Sequence, residues 1–265
     1  MKALESKSRK NHMNRIQTQL FSILNGYSSS VSDFHIAFGL LHHLQDVENF
    51  SLKEMAQACD CSSSKLLRFL KNIGYDNYAS YKNYTNMAGI IKEQLEQRYF
   101  LYDEKKNKEA LFQLSNAASL QEFLQEDVLD QIVEAIKKSS KIVVVGAIEM
   151  QSQFVCFQSD LWQFGKPVYL EFGNTLHPYY KLQENDLLII CSMSGRILSM
   201  SPVLLDSISP HQNTLLISKF PHSPSRLFLQ IPSDHEIFEA YMILSFYLDQ
   251  IKYQYYKRYV YDSDL

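Results

Sequence analysis

Ser62, Ser63, Ser64, Lys65, Arg68 and Lys71 stand within ten residues of one another, and Lys82 lies further on. Ammonium and guanidinium groups neutralise backbone phosphates, while hydroxyls bond phosphates or base edges. These residues lie in the segment FSLKEMAQACDCSSSKLLRFLKNIGYDNYASYK, from Phe50 to Lys82, which divides into two short helices joined by a polar turn. Ser51 with Glu54 three residues later is a capping-box pattern, so one helix begins at Leu52 and runs to about Ala58. The turn is Cys59–Ser62, a second helix runs from about Ser63 to Asn72, and Gly74 ends it. A helix pair whose second member is small, polar and basic fits the major groove of DNA. The same pattern also suits an ordinary helical hairpin with a solvated basic face. Serines make base contacts too versatile to reveal a target sequence.

The chain has 265 residues, enough for two domains or one large one, and an apolar fraction of 46% that argues against wholesale disorder. Its net charge of −3 gives no global signal for nucleic acid, but the charge is uneven: +3 over residues 1–82 and −6 over the remainder. Counterion release responds to the local excess, so overall acidity does not exclude DNA. Cys59, Cys61, Cys156 and Cys191 supply neither a disulfide framework nor a Cys/His ligand set, so no metal and no cofactor is expected. Cys59 and Cys61 suit small apolar packing near the turn. No apolar signal region opens the chain and no membrane-length apolar run occurs, which implies a soluble cytoplasmic protein with no membrane partner.

Residues 1–14 are basic and polar. Helical spacing then covers Arg15–Leu24, with a break at Gly26–Ser30, and Val31–Leu44, for which Ser32 and Asp33 are the candidate caps. Tyr78–Met87 forms a further short helix entered through Asn77, and residues 90–125 are helical and charged. From Val128 the texture changes. Candidate strands at 141–146, Val168–Leu170, Leu187–Ser192, Leu215–Ser218 and Leu227–Ile231 alternate with helical patterns at Gln151–Phe164 and Ile197–Ser207. Short apolar strands between helices imply a parallel sheet covered on both faces. A long aromatic helix, Glu236–Tyr259, ends the chain; its surplus of tyrosine suits an interface.

The helix pair resembles the N-terminal helix-turn-helix of the RpiR/MurR family of bacterial regulators. Ala56 matches the residue that packs at the helix crossing, a serine opens the recognition helix, and Arg68–Phe69 matches an Arg-aromatic pair. Lys71, Gly74 and Tyr75 match the ending of that helix, and Tyr78, Tyr81 and Lys82 fit the next segment of the pattern. Cys-Ser-Ser at 61–63 departs from a usual Val-Ser-x turn. The second half, with KIVVVG, GKPV, NDLLIICSMSG and NTLLISKFPHSP in order, resembles the sugar isomerase (SIS) domain that family members carry. That resemblance implies a phosphosugar effector held at Gly146, Ser192, Ser194 and Gly195, since hydroxyls and backbone N–H groups at a helix N-terminus form an anion site. The first loop departs from Gly-x-Gly-x-Ser: it reads Gly146-Ala147-Ile148-Glu149-Met150, losing a glycine and a serine and adding a negative charge. Ser152 is the candidate substitute hydroxyl. In the second loop Ile197 replaces a threonine and Arg196 is a candidate phosphate partner.

The expected fold is thus two-domain: an all-α helix-turn-helix domain at 1–85, a helical linker at 86–125, and an α/β parallel-sheet, SIS-like (Rossmann-like, flavodoxin-like) effector-binding and dimerisation domain at 126–265. The expected function is DNA-binding transcriptional regulation of carbohydrate genes by a homodimer or higher homo-oligomer on double-stranded DNA, because paired half-sites need paired recognition helices. Besides a protein-interaction module that would not retain DNA, two alternatives stay open. One is an SIS-fold isomerase, with His177, His211, His235 and Glu236 as candidate acid–base groups; no catalytic residue is assigned. The other is a ligand-independent DNA-binding protein whose SIS domain only dimerises.

Overall fold

A computed structural model of the chain describes residues 16–25, 30–44, 46–85, 104–113, 115, 117–146, 148–172, 182–194, 213–221, 226–233 and 237–261. The chain divides into two units, Met1–Phe100 and Leu101–Leu265. Several sequence expectations fall outside the described residues: the basic start, most of the Gly26–Ser30 break, residues 90–103 and the helix expected at Ile197–Ser207.

Unit 1 is helical. Helix α1 (16–24) buries Ile16, Leu20 and Leu24. Helix α2 (Val31–His42) is capped by Ser30, whose hydroxyl accepts the Asp33 N–H at 3.3 Å. The cap is therefore neither Ser32 nor Asp33; Asp33 sits in the first turn, where an acid favours the helix dipole. After a 3-10 turn at Val47–Asn49 come α3 (Leu52–Ala58), α4 (Ser63–Asn72) and α5 (Tyr78–Thr85). The Ser51–Glu54 capping box is present in both directions, at 2.8 and 3.3 Å. Asn77 caps α5, its Oδ1 accepting the Ser80 N–H at 2.8 Å.

Both α3 and α4 end in a paired carbonyl-closing turn. After α3, Cys61 N–H donates to Ala56 O at 2.9 Å and Asp60 N–H to Gln57 O at 3.1 Å, with Asp60 at φ 50°. After α4, Tyr75 N–H reaches Leu70 O at 2.9 Å and Gly74 N–H reaches Lys71 O at 3.0 Å, with Gly74 at φ 95°. These are Schellman closures, with aspartate standing in the left-handed position that glycine fills in the second. Ala56 is buried, as the crossing of α3 requires, and Gly39 of α2 faces Cys59 at the end of α3.

Unit 2 holds α6 (Glu104–Phe112), α7 (Leu120–Leu124), α8 (Glu126–Lys138), β1 (Ile142–Gly146), α9 (Ile148–Gln163), β2 (Val168–Phe172), β3 (Leu187–Cys191), β4 (Asn213–Ser218), β5 (Leu227–Gln230) and α10 (Ile237–Tyr259). All pairings are parallel and the order is β2-β1-β3-β4-β5, the flavodoxin-like order. β1 and β3 are buried along their whole length, which is why they are continuous apolar runs. Phe123 of α7 packs against Phe112 of α6 and stacks on Phe246 of α10 at 5.5 Å, so α6 and α7 pack within this unit.

Helices α9 and α10 carry a polar seam. Lys252 pairs with Asp160 at 3.0 Å, both nearly fully buried, and with Asp249 at 2.7 Å. Ser245 also donates to Gln153. Among the described residues no helix is long and apolar enough to cross a membrane, and no group of three or more His, Cys, Asp or Glu could hold a metal.

Candidate nucleic-acid interface and effector site

Helix α4 separates its two faces cleanly. Leu66, Phe69 and Leu70 are buried against unit 1, while Ser64, Arg68 and Lys71, spaced four and three residues apart, are exposed along one outward stripe. Ser63 and Lys65 are half-buried beside it. Ser62 is the N-cap: its hydroxyl accepts the Lys65 N–H at 3.2 Å, so that oxygen serves the helix. The first-turn N–H groups of α4 open at this exposed end, a setting that favours an anion. Their positions on α4 follow from the local pattern of one amphipathic helix.

Lys82 has a different setting. Its Nζ donates to the Glu48 carbonyl at 2.8 Å and to the Phe50 carbonyl at 3.1 Å, and it lies over the Tyr78 ring. The Tyr78 hydroxyl donates to the same Phe50 carbonyl at 3.1 Å. Lys82 thus ties α5 to the start of the helix pair, apart from the α4 stripe. Burial pushes the Cys59 thiol up to about 12, and burial also raises Cys61, so both stay protonated and act as packing groups.

In unit 2 two of the sequence-selected hydroxyls, Ser192 and Ser194, follow a strand at the carboxyl edge of the sheet. Gly146 at the end of β1 lies in register with Cys191 at the end of β3. The β1/β3 boundary is where this strand order switches direction, and open α/β sheets bind ligands in the crevice there. Ser192 comes directly after β3; it is buried, and its N–H donates to Ile217 O at 2.9 Å. Ser194 is exposed. Ser152 is also exposed, but it lies more than one turn into α9, which begins at Ile148. Gly195, Arg196, His177, His211, His235 and Glu236 lie outside the described residues.

One residue the sequence reading did not select stands at this edge. Lys219 comes directly after β4, and its N–H donates to Met193 O at 3.1 Å, between Ser192 and Ser194. The Ser218 hydroxyl donates to the same carbonyl at 3.3 Å and accepts the Phe220 N–H at 3.1 Å. A basic residue immediately after a predicted strand was the available signal. At the opposite edge, an open cleft of about 670 Å³ lies beside Asn213 and Leu227, at the amino ends of β4 and β5. Within it Arg258 pairs with Asp130, and Glu134 accepts from Tyr259 and pairs with Lys138.

No family model matches the chain. It is 26% identical over 222 residues to the HTH-type transcriptional regulator GlvR of Bacillus subtilis, covering 77% of this chain and 82% of that protein. Among solved structures it is similar to the Vibrio vulnificus NanR protein complexed with ManNAc-6P: 14% identity, 94% of each chain covered, TM-score 0.42. It is also similar to the sugar isomerase domain of an RpiR transcription factor from Sphaerobacter thermophilus: 15% identity, 63% of this chain and 92% of that one, TM-score 0.43. At such TM-scores these two likenesses decide nothing by themselves.

Proposed function

We propose that this chain, a protein of the RpiR/MurR type, is a DNA-binding transcriptional regulator whose α4 enters the major groove and whose second unit takes a phosphosugar or a related small anion. The observation that carries the first half is the outward stripe of Ser64, Arg68 and Lys71 on a helix whose other face is locked into unit 1. Lys65, Arg68 and Lys71 contact phosphates, and Ser63 and Ser64 approach base edges or phosphates from the open end of the helix. Similarity to a transcriptional regulator over most of both chains supports the same reading.

The domain organisation we propose is a DNA-binding domain at 1–85, a helical linking segment at 86–125 whose α6 and α7 pack with the second unit, and an effector and dimerisation domain at 126–265. The effector sits at the β1/β3 switch point, against Gly146, Ser192, Ser194 and Gly195, with Ser152 and Arg196 as further candidates. Two copies present two α4 helices to paired half-sites. The ligand shifts the placement of the two DNA-binding heads only if it binds one arrangement more tightly than the other. The chain acts in the cytoplasm, and regulation rather than turnover is its role.

Fluorescence anisotropy with the DNA upstream of the protein's own coding sequence tests this. Lys65→Ala with Arg68→Ala weakens binding, and each lost phosphate contact lowers the slope of log affinity against log salt by about 1. Unchanged affinity would remove α4 from the interface. Turnover of a sugar phosphate by the purified chain would replace regulation with catalysis.

A further inference from the structure

We infer that Leu67 reads the 5-methyl group of thymine in the major groove, so that α4 prefers sites with a thymine against this side chain. This rests on α4 being the recognition helix. At 3.6 residues per turn, Ser63, Leu67, Lys71, Ser64 and Arg68 follow one another around an arc of about 140°. Leu66, Phe69 and Leu70 occupy the other side of the helix and are buried. Leu67 is half-buried, an apolar residue set among hydroxyls and cations on the outward arc.

The neighbours of Leu67 on that arc have other partners. The cationic groups of Arg68 and Lys71 suit phosphates, and the hydroxyls of Ser63 and Ser64 bond phosphates or any base edge, so they discriminate weakly. The Ser62 hydroxyl does not compete, since it accepts the Lys65 N–H at 3.2 Å. An isobutyl group against a phosphate would desolvate the charge and return no hydrogen bond. The apolar group that the major groove presents is the thymine methyl, and contact with it takes both surfaces out of water. Leu67 is the fifth residue of α4, which begins at Ser63, and so lies in the half of a recognition helix that meets base edges.

Fluorescence anisotropy of the full chain at fixed salt decides the matter, with the upstream DNA prepared once with thymine and once with uracil throughout. The two duplexes differ in composition by the methyl groups alone. The unaltered chain should bind the thymine duplex more tightly, by about fourfold for each methyl group contacted. Leu67→Ala should lose that preference and Leu67→Met should keep it. Leu67→Gln provides a second variant without the apolar contact should the alanine variant fold poorly. Equal affinity of the unaltered chain for both duplexes overturns the inference. So does a full thymine preference in Leu67→Ala and Leu67→Gln, which would assign the effect to another residue or to duplex stiffness. Either result leaves α4 in the interface if Lys65→Ala with Arg68→Ala still weakens binding. Unchanged affinity in that double variant overturns the recognition-helix reading and this inference together.

Discussion

The side-chain amide of Gln125 clasps the main chain of Gln230: its Nε2 donates to the Gln230 carbonyl at 2.8 Å, and its Oε1 accepts the Gln230 N–H at 3.2 Å. Gln230 ends β5, the edge strand of the sheet, so the amide does for this edge what a neighbouring strand would do. The same Nε2 reaches the Tyr247 hydroxyl at 2.8 Å, and that hydroxyl donates to Phe123 O. Gln125 thereby joins the α7–α8 corner, the sheet edge and α10. Through Gln230 it also steadies Lys219.

Gln125→Ala should destabilise unit 2 by about 1–2 kcal/mol, since the lost bonds are partly replaced by water at an exposed edge. Gln125 also stands at φ 46°, a left-handed conformation that a side chain resists. Gln125→Gly loses the same bonds but relieves that strain, so it should be about 1 kcal/mol more stable than the alanine variant. Urea unfolding of the three proteins checks the order. An alanine variant as stable as the parent would mean the clasp contributes nothing.

Gly39→Ala sets two effects against each other. Alanine favours an exposed helix interior by about 1 kcal/mol over glycine. Here, however, an added Cβ would lie 2.7 Å from Cys59 Sγ and 3.0 Å from Cys59 Cα. A thiol can rotate away, but a main-chain carbon cannot, and overpacking of this kind costs about 1–3 kcal/mol. The clash should win, with a lower midpoint of thermal unfolding for unit 1 and weaker DNA binding as α3 shifts. Cys59→Ala added to it should restore only part of the loss, because the new methyl still meets the main-chain carbon of residue 59.

The limits of α3 and α4 were legible because their signals are local: Ser51 with Glu54, the polar turn ending at Ser62, and Gly74 at the closing turn. Strand identities were legible for a similar reason, since a strand buried on both faces is a continuous apolar run. The cap of α2 was not, because Ser30, Ser32 and Asp33 are all competent and only the backbone geometry selects Ser30. Asp60 in the left-handed turn position was also hidden, glycine being the usual signal. The setting of Lys82 could not be read either: its carbonyl partners lie 34 and 32 residues away. A charge pattern says that a cation is present, not whether the fold has already used it.

Lys252 and Asp160 form a buried pair whose members differ from surface ions. Burial alone would lower the Lys252 pKa, but Asp160 and Asp249 outweigh it and the ammonium is held above its ordinary value. Removing Lys252 takes the ammonium from the buried Asp160 carboxylate, so Lys252→Met should cost about 3–5 kcal/mol. The double variant Lys252→Met with Asp160→Leu should recover most of that loss, because an apolar pair avoids the desolvation penalty. Denaturant unfolding of the single and double variants measures the coupling. A double variant no better than the single would place the cost in packing rather than charge.

His43 gives unit 1 a pH dependence of defined sign. Burial lowers its pKa from the ordinary 6.5, the neighbouring His42 pushes the same way, and Asp46 opposes them. The ring also lies 4.6 Å from that of Phe50, at the entrance to the helix pair. Above the unfolded value, both folded and unfolded chains hold a neutral imidazole and the group contributes nothing to the balance. As pH falls below it, the unfolded chain takes up the proton first, so stability is lost down to the lower folded value and no further. Amide exchange in α2, corrected for its intrinsic rate, should show weaker protection on the acid side of pH 6.5. His43→Gln should flatten that decline; an equal decline in the variant would assign it to other groups of the unit.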